Sequence, residues 1–117
     1  MEAHNYDWQS VPREQVNETF VRQLITGGGV MLARLELKVG CVVPVHSHHN
    51  EQVSTVLSGR IKFFLGEREL ILGPGETLVI PPHVSHGAEV LEDFVGFDIF
   101  NPPREDWING SDAYLRK

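Results

Sequence analysis

The sequence predicts an all-β fold, an antiparallel sandwich or barrel, on three observations. Short runs rich in Val, Ile, Leu and Phe recur along the chain. Eleven glycines and seven prolines in 117 residues fall between those runs as turn signals. Where a run is long enough to test, Ile61, Phe63 and Leu65 alternate with Arg60, Lys62 and Phe64, close to the period of two that a half-buried strand requires.

Taken in order, FVRQLI (20–25) and VMLARLEL (30–37) are strands joined by the Gly27-Gly28-Gly29 turn. That turn is no phosphate loop, because neither a P-loop lysine nor a helix follows it. After Lys38-Val39-Gly40 comes CVVPVHSH (41–48), then the His49-Asn50-Glu51 turn. QVSTVL (52–57) and RIKFFL (60–65) read as two strands parted by Ser58-Gly59. LIL (70–72) and TLVI (77–80) flank the breaker Gly73-Pro74-Gly75, and Pro81-Pro82 opens the next turn. GAEVLED (87–93) and FVGFDIF (94–100) complete the set. Only the ends differ. Residues 2–20 suit a polar arm with a short strand or a turn of helix. After Asn101-Pro102-Pro103, acidic residues behind a proline suit a short C-terminal helix.

Length and composition bound the class. A chain of 117 residues suits one domain over 1–117, with its core at about 20–100, and can bury roughly 65% of its unfolded surface. Cys41 is alone, so no disulfide framework exists, and its place at the start of an apolar strand suits a structural thiol. The N-terminal MEAHNYDWQS has no export signal, and no apolar run approaches the ~20 residues of a membrane span, so a cytoplasmic location is expected, with no membrane partner. The net charge of −6, with basic residues dispersed, excludes nucleic acid as the expected partner, since phosphate neutralisation needs grouped Lys and Arg.

Chemistry concentrates in VPVHSHHNEQVSTVLSG (43–59). In a strand, residues i and i+2 share a face, so His46 and His48 project together and His49 projects away. Two imidazoles so placed suit one ion. A third ligand is expected from Glu51 or Gln52, and a fourth from His83 or His86 beyond the paired prolines. A second cluster lies in FVGFDIFNPPREDW, where Phe94, Gly96, Asp98 and Phe100 share one parity. An inward carboxylate on an apolar strand is costly unless it is paired or functional. Arg104 is expected to fold over the barrel mouth. Trp8 and Trp107 read as packing or dimer residues.

Gly40, five residues, His46-Ser47-His48, three residues, Gln52, six residues and Gly59 resembles the first cupin motif, and Gly75, five residues, Pro81 and then His86 resembles the second. The resemblance implies a double-stranded β-helix, a jelly-roll-like barrel enclosing a divalent metal ion (Ni, Zn, Fe or Mn). It also implies His46, His48, Gln52 and His86 as ligands. Glu51 breaks the six-residue spacing to Gly59 and has the opposite parity. His83 stands where the second motif carries Gly, and reads as a residue behind the ligands or at the rim rather than as a ligand; Val90 stands where the motif carries Asn.

HSHHNEQ together with D-x-F-x-P-P-R-E-D-W is similar to the small KdgF-type cupins of pectin and alginate breakdown. That resemblance implies ring opening and ketonisation of 4,5-unsaturated monouronates, a small anionic sugar as substrate, and a homodimer. It implies Asp98 as proton carrier, Arg104 as the group holding a carboxylate or hydroxyl, and Phe100 as an apolar wall. The alternatives are another metal-binding cupin, such as a dioxygenase or sugar isomerase, and a non-catalytic metal- or sugar-binding module. A wholly neutral ligand set leaves the ion's full charge for Lewis-acid work, whereas oxygen-activating iron sites commonly use a carboxylate.

Overall fold

The computed structural model describes residues 2–116. Its elements are a 3₁₀ turn at Trp8–Ser10, β1 (Glu14–Asn17), β2 (Phe20–Thr26), β3 (Met31–Leu37), β4 (Val42–His46), β5 (Glu51–Leu65), β6 (Arg68–Leu72), β7 (Thr77–Ile80), β8 (His86–Asn101) and α1 (Glu105–Asn109). This is the β-barrel with a small C-terminal helical segment that the sequence predicts. Among the described residues no helix is long and apolar enough to cross a membrane.

Two long strands organise the barrel. The N-terminal half of β5 pairs with the C-terminal half of β8, and these halves extend outward to β7 on one side and to β3, β2 and β1 on the other. The remaining halves pair with each other again, flanked by β6 and β4. Each long strand therefore serves two sheets, turning the corner through register shifts between Val56 and Ile61.

The sequence reading divided both of these strands in two, at Ser58-Gly59 and between Asp93 and Phe94. The structure joins each pair. Gly59 does mark a discontinuity, but a bend rather than a turn: its φ is +85°, and a Cβ there would lie 2.1 Å from the Asp93 carbonyl oxygen. No L side chain fits that corner.

Alternation places the core. In β3, Met31, Ala33, Leu35 and Leu37 are buried while the residues between them are only half-buried. They meet Phe20, Val56, Ile61, Phe63, Val90 and Phe94 from the surrounding strands. Cys41 is buried in the same cluster, its thiol pushed up by burial against the pull of Thr19, which fits the structural role expected of it. Gly96 is the gap in the inward row of β8. A Cβ there would lie 2.5 Å from both the Phe94 ring and the Thr55 carbonyl, so glycine lets Phe94 fold back along its own strand.

The C-terminal segment closes one end of the barrel. Arg22, fully buried on β2, donates to Asp112 Oδ2 at 2.6 Å and to Glu14 Oε1 at 2.8 Å, and its guanidinium lies 4.6 Å from the Trp107 ring centre. Arg116 donates to the other Asp112 oxygen and to Glu14. Four charge-assisted hydrogen bonds among Arg22, Asp112, Glu14 and Arg116, built around the buried Arg22–Asp112 pair, fix this segment against the wall.

Candidate metal centre

His46 ends β4 and His86 begins β8, and the two are direct partners in the β4–β8 ladder. His48 follows His46 by two residues, on the same face. The three rings therefore converge, with centroids 4.4 to 5.4 Å apart. One nitrogen from each lies within 4.8 Å of the others, so the triad could hold a metal ion.

Hydrogen bonding decides which nitrogen faces inward. Nδ1 of His46 bonds the Pro44 carbonyl at 2.7 Å, Nδ1 of His48 the Asn50 carbonyl at 3.1 Å, and Nδ1 of His86 the Val84 carbonyl at 2.9 Å. A carbonyl only accepts, so each Nδ1 carries the proton and each neutral ring presents an Nε2 lone pair. That is how a metal-binding histidine is oriented by its second partner. Burial holds His46 and His48 down to about 4 and lowers His86 as well, so all three are neutral near pH 7.

Two details fit a cation at the point of convergence. His86 Nε2 is buried and has no hydrogen-bond partner among the described residues. His48 Nε2 lies 3.2 Å from Gln52 Oε1. With the His48 proton on Nδ1, that contact sets two lone pairs against each other, which a shared cation relieves.

Gln52 is the residue the motif spacing selects over Glu51, and the structure separates them cleanly. Gln52 is 5% exposed and faces the barrel interior, whereas Glu51 is exposed. The Gln52 amide nitrogen donates to Ser54 Oγ at 2.9 Å and approaches Asp98 Oδ2 at 3.4 Å. Those contacts set the amide so that its oxygen turns to the histidines. His49 and His83 are both exposed and stand outside the cluster. His83 adopts φ +68°, a left-handed conformation that explains why glycine suits this position, and its backbone N–H donates to the His48 carbonyl.

Asp98 faces inward as its parity predicts, directly opposite Ser54 in the β5–β8 ladder. Burial pushes its carboxyl up to about 6, against the pull of Ser54 and the Arg104 charge. Phe100 is 1% exposed and packs 5.8 Å from the His48 ring. The cavity these residues share with Arg104, Trp107 and Tyr114 encloses about 40 Å³.

Arg104 differs in part from expectation. It does stand at the barrel end, but it is 3% exposed rather than lying free over the mouth. Nε and Nη2 donate to the two Asp106 oxygens, and Nη2 also donates to the Tyr114 hydroxyl at 2.7 Å. The guanidinium lies 5.2 Å from the Phe100 ring centre and 4.9 Å from that of Trp107. Burial tends to lower its pKa, but Asp106 and Tyr114 outweigh that and raise it.

Sequence reasoning missed three residues here. Tyr114 lies with its ring 4.7 Å from His46. Ser54 sits beneath Gln52. Asn50, 2% exposed, donates to the Pro102 and Pro103 carbonyls and so ties the turn between His48 and Gln52 to the segment delivering Arg104. Asn50 and Ser54 carried a weak signal, a polar residue beside or in phase with a proposed ligand. Tyr114 carried none, since it reaches the site only through the C-terminal segment. Trp107, read as a packing or dimer residue, is buried and also walls the cavity, while Trp8 packs on Phe97 outside the barrel.

The family model for the cupin domain matches residues 33–97, and the chain belongs to that family. An RmlC-like cupin from Shewanella frigidimarina is 27% identical, with a TM-score of 0.84 over 91% of this chain and 96% of that one. KdgF from Halomonas sp. is 26% identical, with a TM-score of 0.85 over 91% of this chain and 99% of that one. Oxalate decarboxylase from Bacillus subtilis, 16% identical with a TM-score of 0.73 over 87% of this chain and 30% of its own, shares the fold alone. No curated protein matches the chain.

Proposed function

We propose that this cupin is a metal-dependent enzyme that opens the ring of 4,5-unsaturated monouronates and yields their linear keto forms. The observation that carries the proposal is the contact of Gln52 with Asp98. It sets a carboxyl with a pKa of about 6 beside a ligand set of three imidazoles and one amide. The likeness to KdgF over nearly the whole of both chains supports it.

In this reading His46, His48 and His86 hold a divalent ion through Nε2 and Gln52 through Oε1. A bound ion would supply Lewis acidity toward substrate oxygens. Asp98 takes the proton of the anomeric hydroxyl as the bond from the anomeric carbon to the ring oxygen breaks, and returns it to the alkene carbon. A group with a pKa near 6 is suited to both transfers near neutrality. Arg104 holds a substrate anion with the donor capacity that Asp106 and Tyr114 leave free. Phe100 walls off water beside His48.

The direct test is loss of ultraviolet absorbance when metal-loaded protein meets an unsaturated galacturonate or mannuronate. Decay at the uncatalysed rate for every such substrate would sink the proposal. We also propose a homodimer. Its support is the outward row Leu32, Ile99, Val53 and Val79, adjacent across four strands, with Val79 55% exposed. Sedimentation equilibrium at the monomer mass would exclude it.

A further inference from the structure

We infer that the Tyr114 hydroxyl is a hydrogen-bond donor to the substrate, acting on the sugar's ring oxygen as the ring opens. This rests on the ring-opening reading above and adds to it a residue from the C-terminal segment.

Hydrogen-bond accounting points to it. The Tyr114 oxygen receives Arg104 Nη2 at 2.7 Å and Trp107 Nε1 at 3.3 Å. Guanidinium and indole nitrogens donate and cannot accept, so both contacts are taken by the phenol's lone pairs. Its own O–H donates to no group among the described residues. A phenol with its acceptor capacity filled and its proton unspent is a donor awaiting an acceptor.

Position supplies that acceptor. Tyr114 lies against His46 and lines the same cavity as Gln52, His86 and Asp98. A monouronate reaching Asp98 in that cavity would also pass within reach of Tyr114, since both side chains line it. The neighbouring residues are already fixed, Asp112 by Arg22 and Leu115 by burial and by the Asn17 amide at its carbonyl. The hydroxyl is thus held in place before substrate arrives, as a preorganised donor should be.

The proton and electron count closes without consuming Tyr114. The anomeric hydroxyl proton passes to Asp98, and the breaking carbon–oxygen bond leaves its electron pair on the ring oxygen. The alkene carbon then takes the proton back from Asp98. Tyr114 keeps its own proton throughout and bonds the ring oxygen when that atom carries most charge.

The competing role is a strut that only fixes Arg104, and two measurements separate them. Tyr114→Phe keeps the ring on His46 but removes the O–H. A donor predicts a fall in kcat of about 10²-fold with KM nearly unchanged. Retained kcat with a raised KM would make Tyr114 a strut and overturn the inference. The second measurement needs no change of fold. The sequence has two tyrosines, and Tyr6 is 56% exposed, so Tyr6→Phe protein grown on 3-fluorotyrosine carries the label at Tyr114 alone. A more acidic phenol donates better and accepts worse, so kcat should rise relative to unlabelled Tyr6→Phe protein. An unchanged or lower kcat would overturn the inference. If metal-loaded Tyr6→Phe and wild-type proteins both leave the uronate absorbance untouched, the ring-opening reading falls as well. Activity in both with no response at Tyr114 defeats this inference alone.

Discussion

Gln52 joins two parts of the cavity, its amide oxygen 3.2 Å from His48 Nε2 and its amide nitrogen 3.4 Å from Asp98 Oδ2. One neutral side chain thereby links the histidine cluster to the buried carboxyl, and its neutrality matters to both. Gln52→Glu would leave a carboxylate beside Asp98 and raise the Asp98 pKa above 6, since neighbouring like charges oppose ionisation. The ion should stay bound, with lower electrophilicity. Ring opening should slow at equal metal occupancy, and the acid limb of the pH–rate profile should move to higher pH. Unchanged turnover at equal occupancy would refute the charge reasoning.

Ligand loss should spare the fold, because the hydrophobic core lies around the cavity and does not depend on an ion. His48→Ala is expected to lower metal affinity by more than about 100-fold, exceeding the loss typical when only a group behind a ligand is removed. Elemental analysis together with far-ultraviolet circular dichroism checks both halves. Full metal content in the variant would sink the ligand assignment.

The neutral histidines make a calorimetric prediction. At pH 6, three ordinary imidazoles would each be about three-quarters protonated and would release those protons to an incoming ion. With His46 and His48 held at about 4, those two rings have already lost their protons, and His86, also lowered by burial, carries less than an ordinary imidazole would. Metal binding at pH 6 should therefore release less than one proton, measured as the difference in binding enthalpy between two buffers of different ionisation enthalpy. A release of two protons or more would show that burial is not setting these groups.

Asp98 predicts both a rate and a stability change. Asp98→Asn should lower kcat by roughly 10²–10⁴-fold if the carboxyl moves protons. The folded pKa of about 6 exceeds the ordinary 3.8, so between those values the native state binds more protons than the unfolded chain. Stability from this group therefore falls as pH rises from 3.8 through 6, and the loss is complete above 6. Removing the charge should stabilise metal-free protein at pH 8 by up to about 3 kcal/mol, and hardly at all near pH 4. Urea unfolding of both proteins at the two pH values measures the difference, in which the histidine contributions cancel. Equal differences at pH 4 and pH 8 would be inconsistent with a desolvated carboxylate.

Asp112 tests the C-terminal seat. Asp112→Ala leaves Arg22 buried with only Glu14 as a charged partner and should destabilise by about 3 kcal/mol, the lower end for breaking a buried pair. Because the same segment carries Tyr114, activity should fall even where the variant remains folded. A stable variant with wild-type turnover would show that the segment does not serve the site.

Much of this protein was legible from its residues alone, wherever period two could operate. Parity separated Gln52 from Glu51 and His46 from His49, and it turned Asp98 and Phe100 inward, because successive strand residues point to opposite faces whatever the strand packs against. Glycine at 59 was legible as a break in the ladder. Whether that break reverses the chain or only bends it depends on the neighbouring strand, and here the close approach of the Asp93 carbonyl decided for the bend. The partners of Arg104 were decided in the same way. In sequence it stands near Asp98 as well as Asp106. The C-terminal segment, drawn to the wall by the pairing of Arg22 with Asp112 across ninety residues, set Asp106 and Tyr114 against its guanidinium instead. Tyr114 has no period and no motif of its own. Its place beside His46 follows from long-range charge pairing and apolar burial, which act through space and leave no local mark in the chain.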